Sequence, residues 1–254
     1  MNSATVRNLL VRGMLAGLAA GVLALIVAYF LGEPNVDSAI GFEESHASAH
    51  AHEHEVELVS RSLQSTAGLA TGVLFYGVAF GGIAALAFCF ALGRTGRFTP
   101  RATALLLAGT ALLAVYVVPF LKYPANPPAV GDGDTIGKRT TLYFLMMVLS
   151  VLLAVAAVIV GKRLAPKLGT WYATVVAVLG FVLVIGLAYA FLPAVDEVPS
   201  DFPAALLWRF RLSALAMQVT LWGGFGLVFG ELAERLLHPA PATLSAGTPA
   251  VAPR

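Results

Sequence analysis

The chain has 254 residues, of which 58% are hydrophobic and 12% charged. Soluble chains carry about twice that share of charge, and the mean hydropathy is +0.82, which excludes a disordered chain, a collagen-like chain and an ordinary soluble enzyme. A net charge of +2 leaves no electrostatic footprint for nucleic acid, and a single cysteine, Cys89, rules out a disulfide framework. The composition predicts an all-α fold: a polytopic bundle of helices embedded in the lipid bilayer.

A helix needs about 20 apolar residues to cross a bilayer. Six runs qualify, at roughly 9–31, 67–92, 103–121, 141–160, 170–192 and 212–229. The first follows Arg7 and Arg12 and resembles a signal peptide, but it is longer than a signal core and no small-x-small cleavage pattern follows, so it reads as an uncleaved anchor. Residues 1–237 thus read as one transmembrane domain. Residues 238–254, rich in Pro, Ala, Ser and Thr, read as a disordered cytoplasmic tail. With both termini in the cytoplasm, the inner segments carry ten Lys and Arg against two acids, and the outer segments six against twelve. That is the positive-inside pattern.

Gly13, Gly17 and Gly21 recur every fourth residue in the first run. This spacing lets a second helix approach closely, either within the chain or from a partner, including a second copy. The span interiors hold no Asp, Glu, His or Lys, and only softer groups such as Tyr116, Tyr143, Met146, Met147, Met217, Gln218 and Thr220. Gln218 must find a hydrogen-bond partner in the bundle or face a wet cavity. Arg209 and Arg211 lie at the outer edge of the last span, where each either turns inward or snorkels to the headgroups.

Chemistry concentrates in the outer loops. The first, 32–66, contains Glu43 and Glu44, then His46, His50, His52 and His54. On a helix, His46, His50 and His54 share a face; on an extended segment His50, His52 and His54 share a side. Either arrangement groups imidazoles that suit Co, Ni or Zn, with carboxylates adding charge, and it differs from a closed structural zinc site. The second loop has prolines at 119, 124, 127 and 128, which predict a rigid, non-helical path carrying Lys122, Tyr123, Asn126, Asp132 and Arg139. The third carries Asp196 and Asp201 beside Arg209 and Arg211. Loops of this kind either line a cavity or cap the bundle. Gly137-Lys138 fails as a phosphate loop, because Arg139 stands where Ser or Thr is required. No nucleophile–base pair, zincin motif or dinucleotide fingerprint occurs, so an enzyme is not expected.

Three segments together resemble the CbtA family of predicted cobalt transporter subunits. They are Glu33-Pro34 with Glu43-Glu44 and the histidine run; Phe120-Leu-Lys-Tyr-Pro-Ala-Asn-Pro-Pro-Ala-Val-Gly-Asp with Thr135-Ile-Gly; and Leu192-Pro-Ala-Val-Asp-Glu-Val-Pro with Asp201-Phe-Pro-Ala and Leu207-Trp-Arg-Phe-Arg. The resemblance implies a subunit of a cobalt uptake system in the bacterial inner membrane, linked to cobalamin synthesis. It implies a single-span partner of the CbtB kind and a divalent metal ion (Co, with Ni or Zn as competitors) as cargo, with no permanently bound cofactor. Family members are described with five spans, where the apolar runs and charges give six. Two functions follow. In one, the histidines capture the ion and Lys122, Asn126, Asp132, Arg139, Asp196, Asp201 and Arg211 form or gate its path. In the other, the chain is a scaffold or metal chaperone that passes the ion to a partner permease.

Overall fold

The computed structural model describes residues 2–47 and 60–238. Among these it is helical with no strand, and five helices are long and apolar enough to cross a membrane. They are α1 (Ser3–Ser45), α2 (Arg61–Ala91), α3 (Pro100–Lys122), α4 (Ile136–Phe191) and α5 (Ala204–Leu237). Local chemistry marks their starts. The Asn2 side chain accepts from the Thr5 amide at 2.8 Å, and Thr99 caps α3 ahead of Pro100 at its first turn.

At about 1.5 Å per residue, the 43 residues of α1 and the 56 of α4 are far longer than a bilayer of about 30 Å requires. The two solve this differently. Helix α1 projects beyond the expected end at 31, so the predicted loop 32–66 is corrected at both ends: it is helical through Ala47 and again from Arg61. Helix α4 instead folds back. Gly169 sits at φ +77°, a conformation that favours glycine, and turns the chain through a single residue. The arms 136–168 and 170–191 then pack side by side: Met146 lies in one apolar cluster with Ile185 and Ala188, and Gly161 faces Ala173 and Ala177. The predicted inner loop at 161–169, with Lys162, Arg163 and Lys167, is therefore helix up to the turn.

Prolines inside α1 and α3 explain their irregular turns. Pro34 and Pro119 each stand two residues after a π-helical segment, Ala28–Gly32 and Leu112–Val117. Proline lacks the amide and its ring crowds the preceding turn, so that turn widens. Pro119, expected in a loop, thus stays in helix. Side chains from the same helix and from others take nearby carbonyls. Leu31 O accepts from the Asn35 amide and from Ser213 Oγ, both at 2.7 Å, and Ala114 O accepts from the buried Ser150 hydroxyl.

Helix α1 packs against α2 and α5, α3 packs against α5, and the α4 hairpin is attached at the side, chiefly through the end of α3. Gly13 and Gly17 meet Gly81 and Gly77 backbone to backbone: a Cβ added at any of the four would lie under 3.0 Å from the facing helix. Gly21 is looser, with Val73 O at 3.4 Å from such a Cβ. On the side of α2 that faces α5 the packing is aromatic. Phe80 meets Trp222 at 4.3 Å and Phe225 at 5.3 Å, and Phe229 stacks on Phe225 and meets Phe88, each at 5.0 Å. In lipid, where burial alone does not drive association, such close packing is what holds helices together.

Candidate functional site

Charge divides the bundle into two ends. The basic end is tied by Arg12 donating to Leu232 O at 2.6 Å, by Arg101 pairing with Glu231 at 2.7 Å, and by Lys162 donating to Arg94 O. The opposite, acidic end carries the three polar segments picked out in the sequence, and the described parts of all three meet there.

The first segment is the projecting part of α1. Arg61, from the start of α2, reaches back to Glu33 and to Asp37, the latter at 2.8 Å. Asn35 crosses to Ser213 of α5 at 3.0 Å. Glu43 and Glu44 are exposed on the same helix, whose last turn includes His46 and Ala47. His50, His52 and His54 lie outside the described residues, as does the tail beyond His238. Among the described residues no group of three or more His, Cys, Asp or Glu is arranged to hold a metal.

The second and third segments pin one another. Lys122 donates to Tyr189 O at 2.9 Å. Tyr123 donates its phenol to Pro193 O at 2.8 Å, and burial pushes that phenol up, which keeps the donating proton in place. Arg139 pairs with Glu197 at 3.2 Å and also donates to Pro124 O; Thr135 donates to the same Glu197. The Glu197 side chain is 2% exposed, so this is a buried, fully partnered carboxylate. Arg211 turns inward, donating to Ala125 O at 3.3 Å and to Asn126 Oδ1 at 3.1 Å. Phe202 and Leu207 close the arrangement against Ala39 and Val130, with Phe42 edge-on to Phe202 at 5.0 Å.

Other expected residues take smaller parts. Asp132 accepts from the Asp134 amide and so shapes the turn that opens α4. Asp196 and Asp201 are exposed, and Asp196 accepts weakly from the Val198 amide at 3.4 Å. Arg209 is exposed and lends only its carbonyl, to Ser213. Gln218 is half-buried, in line with Trp222 and Phe225 on the inward face of α5.

Sequence reading missed Glu197, Asn35, Ser213 and the Arg61 cluster. Glu197 left a usable signal. In an extended, proline-flanked segment, neighbours point opposite ways, so one of Asp196 and Glu197 had to face inward.

The arrangement is a rigid polar cap over an apolar bundle, with a small cavity of about 320 Å³ between α3 and α4 lined by Tyr116, Phe120, Arg139 and Tyr143 among others. It offers charge and hydrogen bonding to a solute at the membrane face. No curated protein and no solved structure matches the chain. A family model described as "Probable cobalt transporter subunit (CbtA)" matches residues 6–234. With nearly the whole chain matched, this membrane-embedded protein belongs to the CbtA family of probable cobalt transporter subunits.

Proposed function

We propose that the chain takes up divalent metal, with cobalt as cargo, across the bacterial inner membrane. It crosses six times, the two arms of α4 counting separately, with the acidic end outside and both termini in the cytoplasm. The observation that carries this reading is the separation of charge along the bundle: Glu33, Asp37, Glu43 and Glu44 stand on the part of α1 that leads into His50, His52 and His54, while ten of the sixteen Lys and Arg belong to the segments of the other end. An acidic face raises the local cation concentration. Imidazole and carboxylate together suit a first-row divalent ion.

In this reading His46, His50, His52 and His54 collect the ion, with Glu43 and Glu44 adding negative charge. The loops pinned by Lys122, Tyr123, Arg139 and Arg211 form the mouth. The membrane potential draws the ion inward, at about 2.3 kcal/mol per charge per 100 mV. A single-span partner of the CbtB kind completes the system, which feeds cobalamin synthesis.

A second reading has its own observation. The Phe80–Trp222–Phe225–Phe229 packing closes the path toward the basic end, as a scaffold or chaperone that hands metal to another permease would allow.

Radiolabelled Co²⁺ uptake separates the two. Cells lacking their own cobalt importers would express the chain alone, the chain with its partner, and a variant with the four histidines changed to Ala. Uptake that weakens in the variant supports the transport reading. Normal membrane expression without uptake, with or without the partner, contradicts it and favours the scaffold.

A further inference from the structure

Below the polar cap, three side chains lie at matching depth on three helices. Tyr116, Tyr143 and Gln218 each lie seven residues from a position at the acidic end: Tyr123 just past α3, Ile136 at the start of α4 and Arg211 on α5. Seven residues of helix is about 10 Å. A fourth side chain joins them. Tyr76 stacks on Phe80 one turn below it, and Phe80 meets Trp222, which lies one turn below Gln218. Tyr76 and Gln218 therefore share a level. Two of the phenols, Tyr116 and Tyr143, line one cavity between α3 and α4. The layer draws on four helices and carries no charge.

Among the described residues, none of these four polar ends donates or accepts a hydrogen bond within the protein; Tyr116, Tyr143 and Gln218 are half-buried, and Tyr76, at 51% exposed, forms the outer edge of the layer. A primary amide and three phenols offer at least seven hydrogen-bonding positions. In hydrocarbon each unsatisfied group costs several kcal/mol. A bundle that satisfies Ser150, Ser213 and Thr220 within the protein does not leave this layer to lipid by default. The cavity between α3 and α4, lined by Tyr116, Tyr143 and Arg139, links the layer to the cap. The aromatic packing lies directly beneath it, with Phe225 only 1% exposed.

We propose that Tyr76, Tyr116, Tyr143 and Gln218 form a wetted, uncharged polar layer inside the membrane, where a hydrated divalent cation rests before the aromatic packing. The second half of this statement rests on the transport reading; the wetting does not. Neutral oxygens replace outer-shell water without neutralising the ion. The site is therefore weak, releases its ion readily, and leaves the full ionic charge exposed to the membrane potential.

Cysteine accessibility tests this in the full chain. In a Cys89→Ser background, Gln218→Cys, Tyr143→Cys and Phe225→Cys would be treated with a charged methanethiosulfonate reagent on fragmented membranes, where both faces are reached. Remaining thiols are then counted by a maleimide gel shift, using only variants that elute as folded protein. We expect modification at 218 and 143, none at 225, and slower modification at 218 in millimolar CoCl2. Folded 218 and 143 variants as unreactive as 225 would overturn the proposal. Modification that CoCl2 leaves unchanged would overturn its cation half. Gln218→Leu should cut Co²⁺ uptake about tenfold, a loss of hydrogen-bond size, with membrane expression unchanged. Uptake at the parental level would likewise remove the cation half. Reactive thiols in a chain whose parent takes up no cobalt would leave the wet layer standing and remove the transport reading alone.

Discussion

The two halves of the bundle are held by different physics. Toward the basic end, α1 and α2 touch backbone to backbone at Gly13, Gly17, Gly77 and Gly81, and five aromatic rings fill the space between α2 and α5. Toward the acidic end, long side chains that donate to backbone carbonyls join the chain, as Lys122, Arg139 and Arg211 do. Close packing has one arrangement and resists displacement. Hydrogen bonds to carbonyls can be exchanged for water or for a passing solute at little net cost. In the proposed transport reading, this contrast assigns sealing to the basic half and access to the acidic half.

The comparison can be broken most severely at the glycine contact. Gly81→Leu drives a side chain into the backbone of Gly13 and Gly17. We expect loss of the folded peak in detergent size-exclusion chromatography. Gly72→Leu on the same helix, with nothing within 4 Å, should elute normally. Equal behaviour of the two would remove the packing argument.

The next largest effect should come from Glu197→Ala. It leaves Arg139 in place without its carboxylate, at a cost of about 3 kcal/mol for a pair this buried. Thermal melting should fall by several degrees. The double variant Arg139→Met with Glu197→Leu should recover most of the loss, because no uncompensated charge then remains.

Asn35→Ala should act more mildly, at about 1 kcal/mol for one neutral hydrogen bond. Its signature is local: faster amide exchange around Ala28–Gly32, where the π turn depends on side chains held at Leu31 O. The smallest effect should come from Arg235→Ala, an exposed i,i+4 partner of Glu231 at the basic end. It should leave melting and expression unchanged, which confirms that the sealing half does not rely on its ion pairs.

Much of the fold was legible. The apolar runs mark the helices, and Gly13-x-x-x-Gly17 marks a close contact, which the structure shows to be made with Gly77 and Gly81 of the same chain. The three polar segments that the charge count placed on one side do meet at one end of the bundle. What escaped was of two kinds. Pro34 and Pro119 read as breakers, yet a π turn before each absorbs the missing amide and the helix goes on. That accommodation depends on Asn35, Ser213 and Ser150, and the last two stand on other helices, so local sequence carries no trace of it. The polar layer escaped for the same reason. Tyr76, Tyr116, Tyr143 and Gln218 are far apart in the chain, and only the register of four helices brings them level. Of the candidate site, the loop residues were legible because proline and charge cluster there. Their pairings were not, and Glu197 was passed over for its exposed neighbour Asp196.

The most direct test of the account is cobalt entry into proteoliposomes that hold the purified chain, with and without its single-span partner, and enclose a dye quenched by Co²⁺. Under an inside-negative potassium diffusion potential, the account requires saturable quenching that collapses when the potential is dissipated. Folded chain, properly incorporated, that gives no quenching above empty vesicles in either preparation would contradict it.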